Sequence, residues 1–149
     1  MNNVKNIRLS LVVSEFNNIV TDSLEKSAID YFVFNKGDKN KVNVYKVPGA
    51  FEIPGVVSKI IKEDGADIIV ALGCVIKGET PHFDYIATET SRALMRMIVQ
   101  HDIPIGFGVL TTNNMKEAME RSKDDDTNKG REAMHAALEM YKVYKEINN

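Results

Sequence analysis

The residues most able to do chemistry together fall in one short stretch: Gly78, Glu79, Thr80 and His82. They belong to the run Gly73 to Tyr85, Gly-Cys-Val-Ile-Lys-Gly-Glu-Thr-Pro-His-Phe-Asp-Tyr. Thr80 can cap a helix, and Pro81 suits the first helical position, where its missing N–H costs nothing. Unpaired backbone N–H groups and the positive end of the helix dipole then favour an anion such as phosphate at Gly78-Glu79-Thr80. His82, in the first helical turn, adds a general acid/base beside that seat. Strand-to-helix turns with Gly and Thr are common, so this loop alone does not fix a ligand site. It is neither a P-loop nor a GxGxxG fingerprint, and nucleotide binding is not indicated.

Three further positions have chemical potential. Phe16 follows an apolar run in Ser14-Glu15-Phe16-Asn17, and is either a core plug or a stacking platform for a planar ligand. Glu52 lies in Val47-Pro48-Gly49-Ala50-Phe51-Glu52-Ile53-Pro54, whose prolines and glycine impose an irregular backbone. Its carboxylate needs a partner among apolar neighbours: the hydroxyls of a ligand, or the cap of the helix that follows. Phe107 stands between Gly106 and Gly108, and glycines in a strand point to close approach by a ligand or another backbone.

The elements that must position these residues follow from periodicity. Ile7–Val13, Val42–Lys46, Ile68–Leu72 and Ile105–Leu110 read as strands. Helices are expected over Asn18–Phe34, from Ile53 to Asp64, from Pro81 to about His101, from Thr111-Thr112-Asn113 through Arg121, and over Lys129–Ile147. Phe83, Ile86, Thr90, Ala93, Leu94, Met97 and Ile98 form the core face of the third of these. Ser122 to Asn128, with Asp124-Asp125-Asp126, reads as a solvated break. The alternation predicts a single domain over residues 1–149, with a four-stranded parallel sheet covered by helices on both faces, a three-layer α/β/α fold. Each unusual loop follows a strand's C-terminal end, the end where such sheets bind ligands.

Composition narrows the function classes. With 149 residues the chain suits one domain, and a net charge of −2 supplies no field for nucleic acid or anionic membrane. No apolar run is long enough to span a bilayer. Met1 to Asn6 lacks the apolar stretch of a signal peptide. Cys74 is the only cysteine, which excludes an internal disulfide and makes a reducing cytoplasm the simplest location. His82, His101 and His135 are scattered without metal-ligand spacing, so no metal is expected.

The loops together resemble the lumazine synthase family. The matching segments are Ser14-Glu15-Phe16-Asn17, Val47 to Pro54, Ala71 to Glu89, Pro104 to Thr112, and Arg121 with Asn128-Lys129-Gly130. The resemblance implies a flavodoxin-like fold and a cofactor-free transferase of riboflavin biosynthesis. Such an enzyme joins 5-amino-6-(D-ribitylamino)uracil to 3,4-dihydroxy-2-butanone 4-phosphate, releasing phosphate and water. It also implies roles. Phe16 stacks on the pyrimidine; Ala50, Phe51 and Glu52 hold the ribityl chain; Cys74, Val75 and Ile76 line the uracil side, largely through backbone. Glu79, Thr80 and Arg121 contact the phosphate, with Lys129 near it. His82 transfers protons, and Phe107 comes from a neighbouring subunit, so the implied partner is a second copy of the chain, in a pentamer or a multiple of pentamers. A non-catalytic lumazine or flavin carrier on the same fold would keep the aromatic contacts but would not need both His82 and Arg121. A flavodoxin-like electron carrier needs a Ser/Thr/Gly-rich phosphate loop where this chain has Glu15 and Phe16.

Overall fold

A computed structural model describes residues 3–149; the first two residues of the expected domain lie outside the described residues. Four strands, β1 (Leu9–Ser14), β2 (Val42–Val47), β3 (Ile68–Ile76) and β4 (Ile105–Thr112), form one parallel sheet in the order β2-β1-β3-β4. Helices α1 (Asn18–Phe34), α2 (Ile53–Lys62), α3 (His82–His101), α4 (Met115–Arg121) and α5 (Lys129–Asn148) complete the chain. Because β1 and β3, at the centre of the sheet, run as near-continuous buried segments, both faces must be covered, while the edge strand β2 alternates.

Alternation along the strands sorts the core into two layers. Leu9, Leu11 and Val13 join Val70 and Leu72 on the face covered by α1 and α5, where Leu24, Phe32, Met134 and Leu138 are buried. Val12, Ile69 and Ala71 pack on the other face with Val57 of α2 and Leu94 and Met97 of α3. The expected three-layer α/β/α fold follows, with one all-parallel four-stranded sheet at its centre. Gly106 and Gly108 serve α5. A methyl group on Gly106 would run into the Ala133 carbonyl, and one on Gly108 would meet Leu72 Cδ2 at 2.5 Å. The close approach at Gly106 is therefore by another backbone, and that at Gly108 is first by a side chain.

Several boundaries differ from the sequence expectation. β1 starts at Leu9, because Ile7 closes a 3₁₀ turn by donating its N–H to the Val4 carbonyl at 3.0 Å. β3 runs past Leu72 to Ile76, because β4 continues beside it as far as Thr112. α2 stops at Lys62, and Asp64 adopts φ 50° to turn the chain. α3 starts at His82, with Pro81 at the cap and no side chain capping it; Thr80 is not the cap. The Pro81 carbonyl instead accepts from the Asp84 N–H at 3.0 Å. α4 starts at Met115 rather than at the threonines, since Asn114 Oδ1 accepts from the Glu117 N–H at 2.8 Å. The break before α5 is not solvated throughout. Asn128 is fully buried, accepting from Gly130 N and donating Nδ2 to the Lys123 carbonyl, whereas Asp124, Asp125 and Asp126 are exposed.

Candidate active site

The strand order places a topological switch point at β1, whose chain leads to β2 on one side while β3 lies on the other. The β1–β3 ladder ends at Val13 opposite Leu72, but β3 continues four residues to Ile76 alongside β4. Past Leu72, then, the β1-facing main-chain groups of β3 have no strand partner and front a crevice. A cleft of about 730 Å³ opens there, lined by the ends of β1, β2 and β3 and the start of α3. That size suits a drug-sized organic molecule.

Nine residues given roles by the family resemblance line this cleft, together with Gly78 of the anion seat: Phe16, Ala50, Phe51, Glu52, Cys74, Val75, Ile76, Thr80 and His82. They come from three separate loops and from β3, far apart in the chain. Phe16 follows β1 and is 70% exposed, so it is not a core plug. Its backbone N–H donates to the Pro48 carbonyl at 3.1 Å, and the Glu15 N–H donates to the Val47 carbonyl at 2.8 Å. Those two bonds seam the loop after β1 to the loop after β2.

The second loop forms a 3₁₀ turn over Ala50–Glu52. Glu52 Oε1 accepts from the Gly49 N–H at 2.9 Å, fixing the carboxylate at the cleft wall, while no side chain caps α2. The capping alternative therefore applies to the 3₁₀ turn, and the carboxylate still fronts the cleft. Phe51 is 59% exposed beside it, while Ala50 is buried, its carbonyl accepting from the Thr90 hydroxyl of α3 at 3.4 Å.

Cys74 is buried, and desolvation pushes its thiol up to about 11, so it carries no thiolate at neutral pH. It is a small wall residue, not a nucleophile. Val75 and Ile76 are half-buried on the last turn of the strand. Thr80 and His82 are exposed at the N-terminus of α3, where the helix dipole favours a bound anion. Among the described residues there is no group of three His, Cys, Asp or Glu side chains placed to hold a metal ion.

Four candidate residues do not line the cleft of the single chain. Glu79 is exposed in the loop before α3. Arg121 ends α4, exposed, with Nη1 donating to the Glu117 carbonyl at 3.1 Å. Lys129 opens α5 and pairs with Glu132 at 2.8 Å. Phe107 is 49% exposed on the edge strand β4, on the face that carries α2 and α3. Conversely, Phe83, Tyr85 and Ile86 of α3 line the cleft, although Phe83 and Ile86 read as core positions. Ile86 packs against the core as well as lining the cleft, whereas Phe83, in the first turn of α3, meets the cleft alone.

The family model described as 6,7-dimethyl-8-ribityllumazine synthase matches residues 6–145. The 6,7-dimethyl-8-ribityllumazine synthase of Chlorobium limicola is 41% identical over 96% of this chain and 92% of its own length. The protein of the same name from Nautilia profundicola is 42% identical over 95% of this chain and 92% of its own. That of Helicobacter pylori is 38% identical over 91% and 86%. No helix among the described residues is long and apolar enough to cross a membrane.

Proposed function

Since the chain belongs to the 6,7-dimethyl-8-ribityllumazine synthase family, we propose that the cleft at the switch point is where it makes that product in riboflavin biosynthesis. The enzyme is a transferase. It condenses 5-amino-6-(D-ribitylamino)uracil with 3,4-dihydroxy-2-butanone 4-phosphate, and its setting is the cytoplasm. The observation that carries the placement is the meeting of nine candidate residues, drawn from separated stretches of sequence, around one cleft.

In this reading the pyrimidine lies between the Phe16 ring and the open main-chain edge of Cys74–Ile76. Both are apolar or backbone surfaces suited to a flat heterocycle. The ribityl chain runs toward Ala50, Phe51 and Glu52. No protein donor among the described residues other than the Gly49 N–H reaches the Glu52 carboxylate, which leaves acceptor capacity for substrate hydroxyls. The phosphate of the four-carbon substrate sits at Gly78, Glu79 and Thr80, against the N-terminus of α3. The substrate's own amine attacks the ketone. Water leaves to give an imine, phosphate is eliminated, and the second amine closes the ring onto the remaining carbonyl with loss of a second water. His82, the first residue of α3 beside the phosphate seat, moves the protons. No side-chain nucleophile is required, in keeping with a protonated Cys74 thiol. Much of the rate comes from holding two substrates together, an effect worth up to roughly 7–11 kcal/mol in favourable cases.

Arg121 and Lys129 bring positive charge from α4 and α5 to the phosphate, and Phe107 completes the ring pocket of an adjacent copy of the chain. The enzyme is then a pentamer or a multiple of pentamers with its sites between subunits. An assay with both substrates, followed by lumazine absorbance and fluorescence with mass from light scattering, tests this directly. Product from an assembly of five or more subunits is the expected result. No product from a well-folded oligomer would replace the enzyme with a ligand carrier; activity in a monomer would remove Phe107 from the site.

A further inference from the structure

Between the Phe16 loop and β3 lies a single side-chain tie. Asn17 takes a left-handed conformation, φ 61° and ψ 47°, at the junction of β1 and α1. Asparagine is among the few non-glycine residues that adopt it readily. It occupies the cap position of α1, yet its side chain makes no capping bond. Its backbone carbonyl accepts from the Val20 and Thr21 N–H groups, at 3.0 and 3.2 Å. The side chain points the other way, and Nδ2 donates to the Cys74 carbonyl at 3.1 Å. That bond spans the crevice where the β1–β3 ladder has already ended at Leu72.

We infer that Asn17 is a positioning residue for the heterocyclic substrate, its side-chain amide setting the spacing between the Phe16 ring and the main chain of Cys74–Ile76. The inference rests on the placement of the pyrimidine given above. Phe16 is anchored on one side by its N–H bond to Pro48, and on the other through Asn17 to Cys74. Without the second anchor the loop hinges on the β2 side alone, and the slot that receives the ring loses its fixed width. The same bond engages the Cys74 carbonyl, which orients the peptide planes that follow it. The α3 N-terminus, where the phosphate is placed, makes no contact with this tie.

Two variants keep the backbone and remove the tie. Asn17→Gly retains access to the left-handed conformation, and Asn17→Asp retains both that conformation and the side-chain size but opposes an acceptor to the Cys74 carbonyl. The expected result is a rise of roughly three- to tenfold in KM for 5-amino-6-(D-ribitylamino)uracil, the scale of one lost neutral hydrogen bond. KM for the butanone phosphate stays level, and the melting temperature of the aspartate variant stays close to that of the natural chain. Unchanged KM values for both substrates overturn the inference. So does a parallel rise in both, or unfolding of both variants, which would make Asn17 a purely structural tie. If the natural chain itself forms no lumazine, it is the functional reading that fails, an outcome visible before any variant is made.

Discussion

Arg121, His82 and Cys74 make separable demands at the scale of single residues. Arginine offers a fixed, always-charged fork to a phosphate, so Arg121→Ala should raise KM for the butanone phosphate. The expected cost is about 1.5–3 kcal/mol, or roughly ten- to a hundredfold, with KM for the uracil substrate little changed. Steady-state kinetics with each substrate varied in turn would check it, and equal effects on both would remove Arg121 from the clamp. His82→Ala should behave differently. If proximity supplies most of the acceleration, kcat falls while turnover stays measurable; a folded variant with no turnover would give the histidine a larger share. For Cys74 the sign of the pH effect follows from burial. Its folded-state value of about 11 lies above the ordinary 9.0, so the folded state holds the proton more tightly than the unfolded state. Its contribution to stability is therefore intact below about pH 9 and is lost as pH climbs toward about 11. Denaturant melts should show a shallower alkaline decline in Cys74→Ala than in the natural chain, and iodoacetamide should label Cys74 only after unfolding.

At the scale of elements, the contact between α5 and α1 is the most extensive between helices. Gly130 sits in the first turn of α5, where a β-carbon would collide with the Leu24 carbonyl of α1. Backbone at that position cannot yield as a flexible side chain does, so Gly130→Ala should destabilise by about 1–3 kcal/mol or more, read as a lower urea midpoint with an unchanged slope. An unaffected midpoint would mean the two helices can slide apart freely. Elements of this kind were largely legible in the sequence. The bounds of α1 read correctly because its stripe is long and its ends carry polar turns. The exit of β3 was not legible at Leu72, since Gly73 and Cys74 look like a turn until β4 is known to run beside them. Thr80 carries the chemistry of a cap, but Pro81 took the cap position. In the cleft, Phe16 and Glu52 were visible because an aromatic and a carboxylate in loops stand out. Asn17 was not, because its role depends on a carbonyl more than fifty residues away. Ile86 does pack against the core, but Phe83, one turn earlier, faces the cleft, because periodicity records which face of a helix is apolar and says nothing about where the core beneath it stops.

At the scale of the whole molecule, the single chain leaves Phe107 of β4 and Tyr85, Met95 and Val99 of α3 exposed. Large apolar side chains in that number mark an interaction face more often than a wetted surface. If adjacent copies complete each other's sites, two inactive variants should rescue each other. Phe16→Ala loses its own stacking ring, and Phe107→Ala loses the ring lent to a neighbour. Co-refolding the two should restore part of the activity, because some interfaces then join an intact Phe16 to an intact Phe107. Mixtures no more active than the separate variants would place both rings in one subunit.

The extension of β3 beyond its partner strand also bears on how such a site could be blocked. In the proposed placement, the heterocycle is read by peptide groups of Cys74–Ile76 and not by their side chains. Every amino acid except proline offers the same peptide N–H, so a point mutation has almost no means of deleting that recognition. An inhibitor built to bind this edge would meet few routes to resistance there. Escape would have to come from the rim, at Phe16, Phe51 or Glu52, where a change also burdens the substrate. Drug pressure would thus act on shape around the ring, while the letters that read it stay fixed.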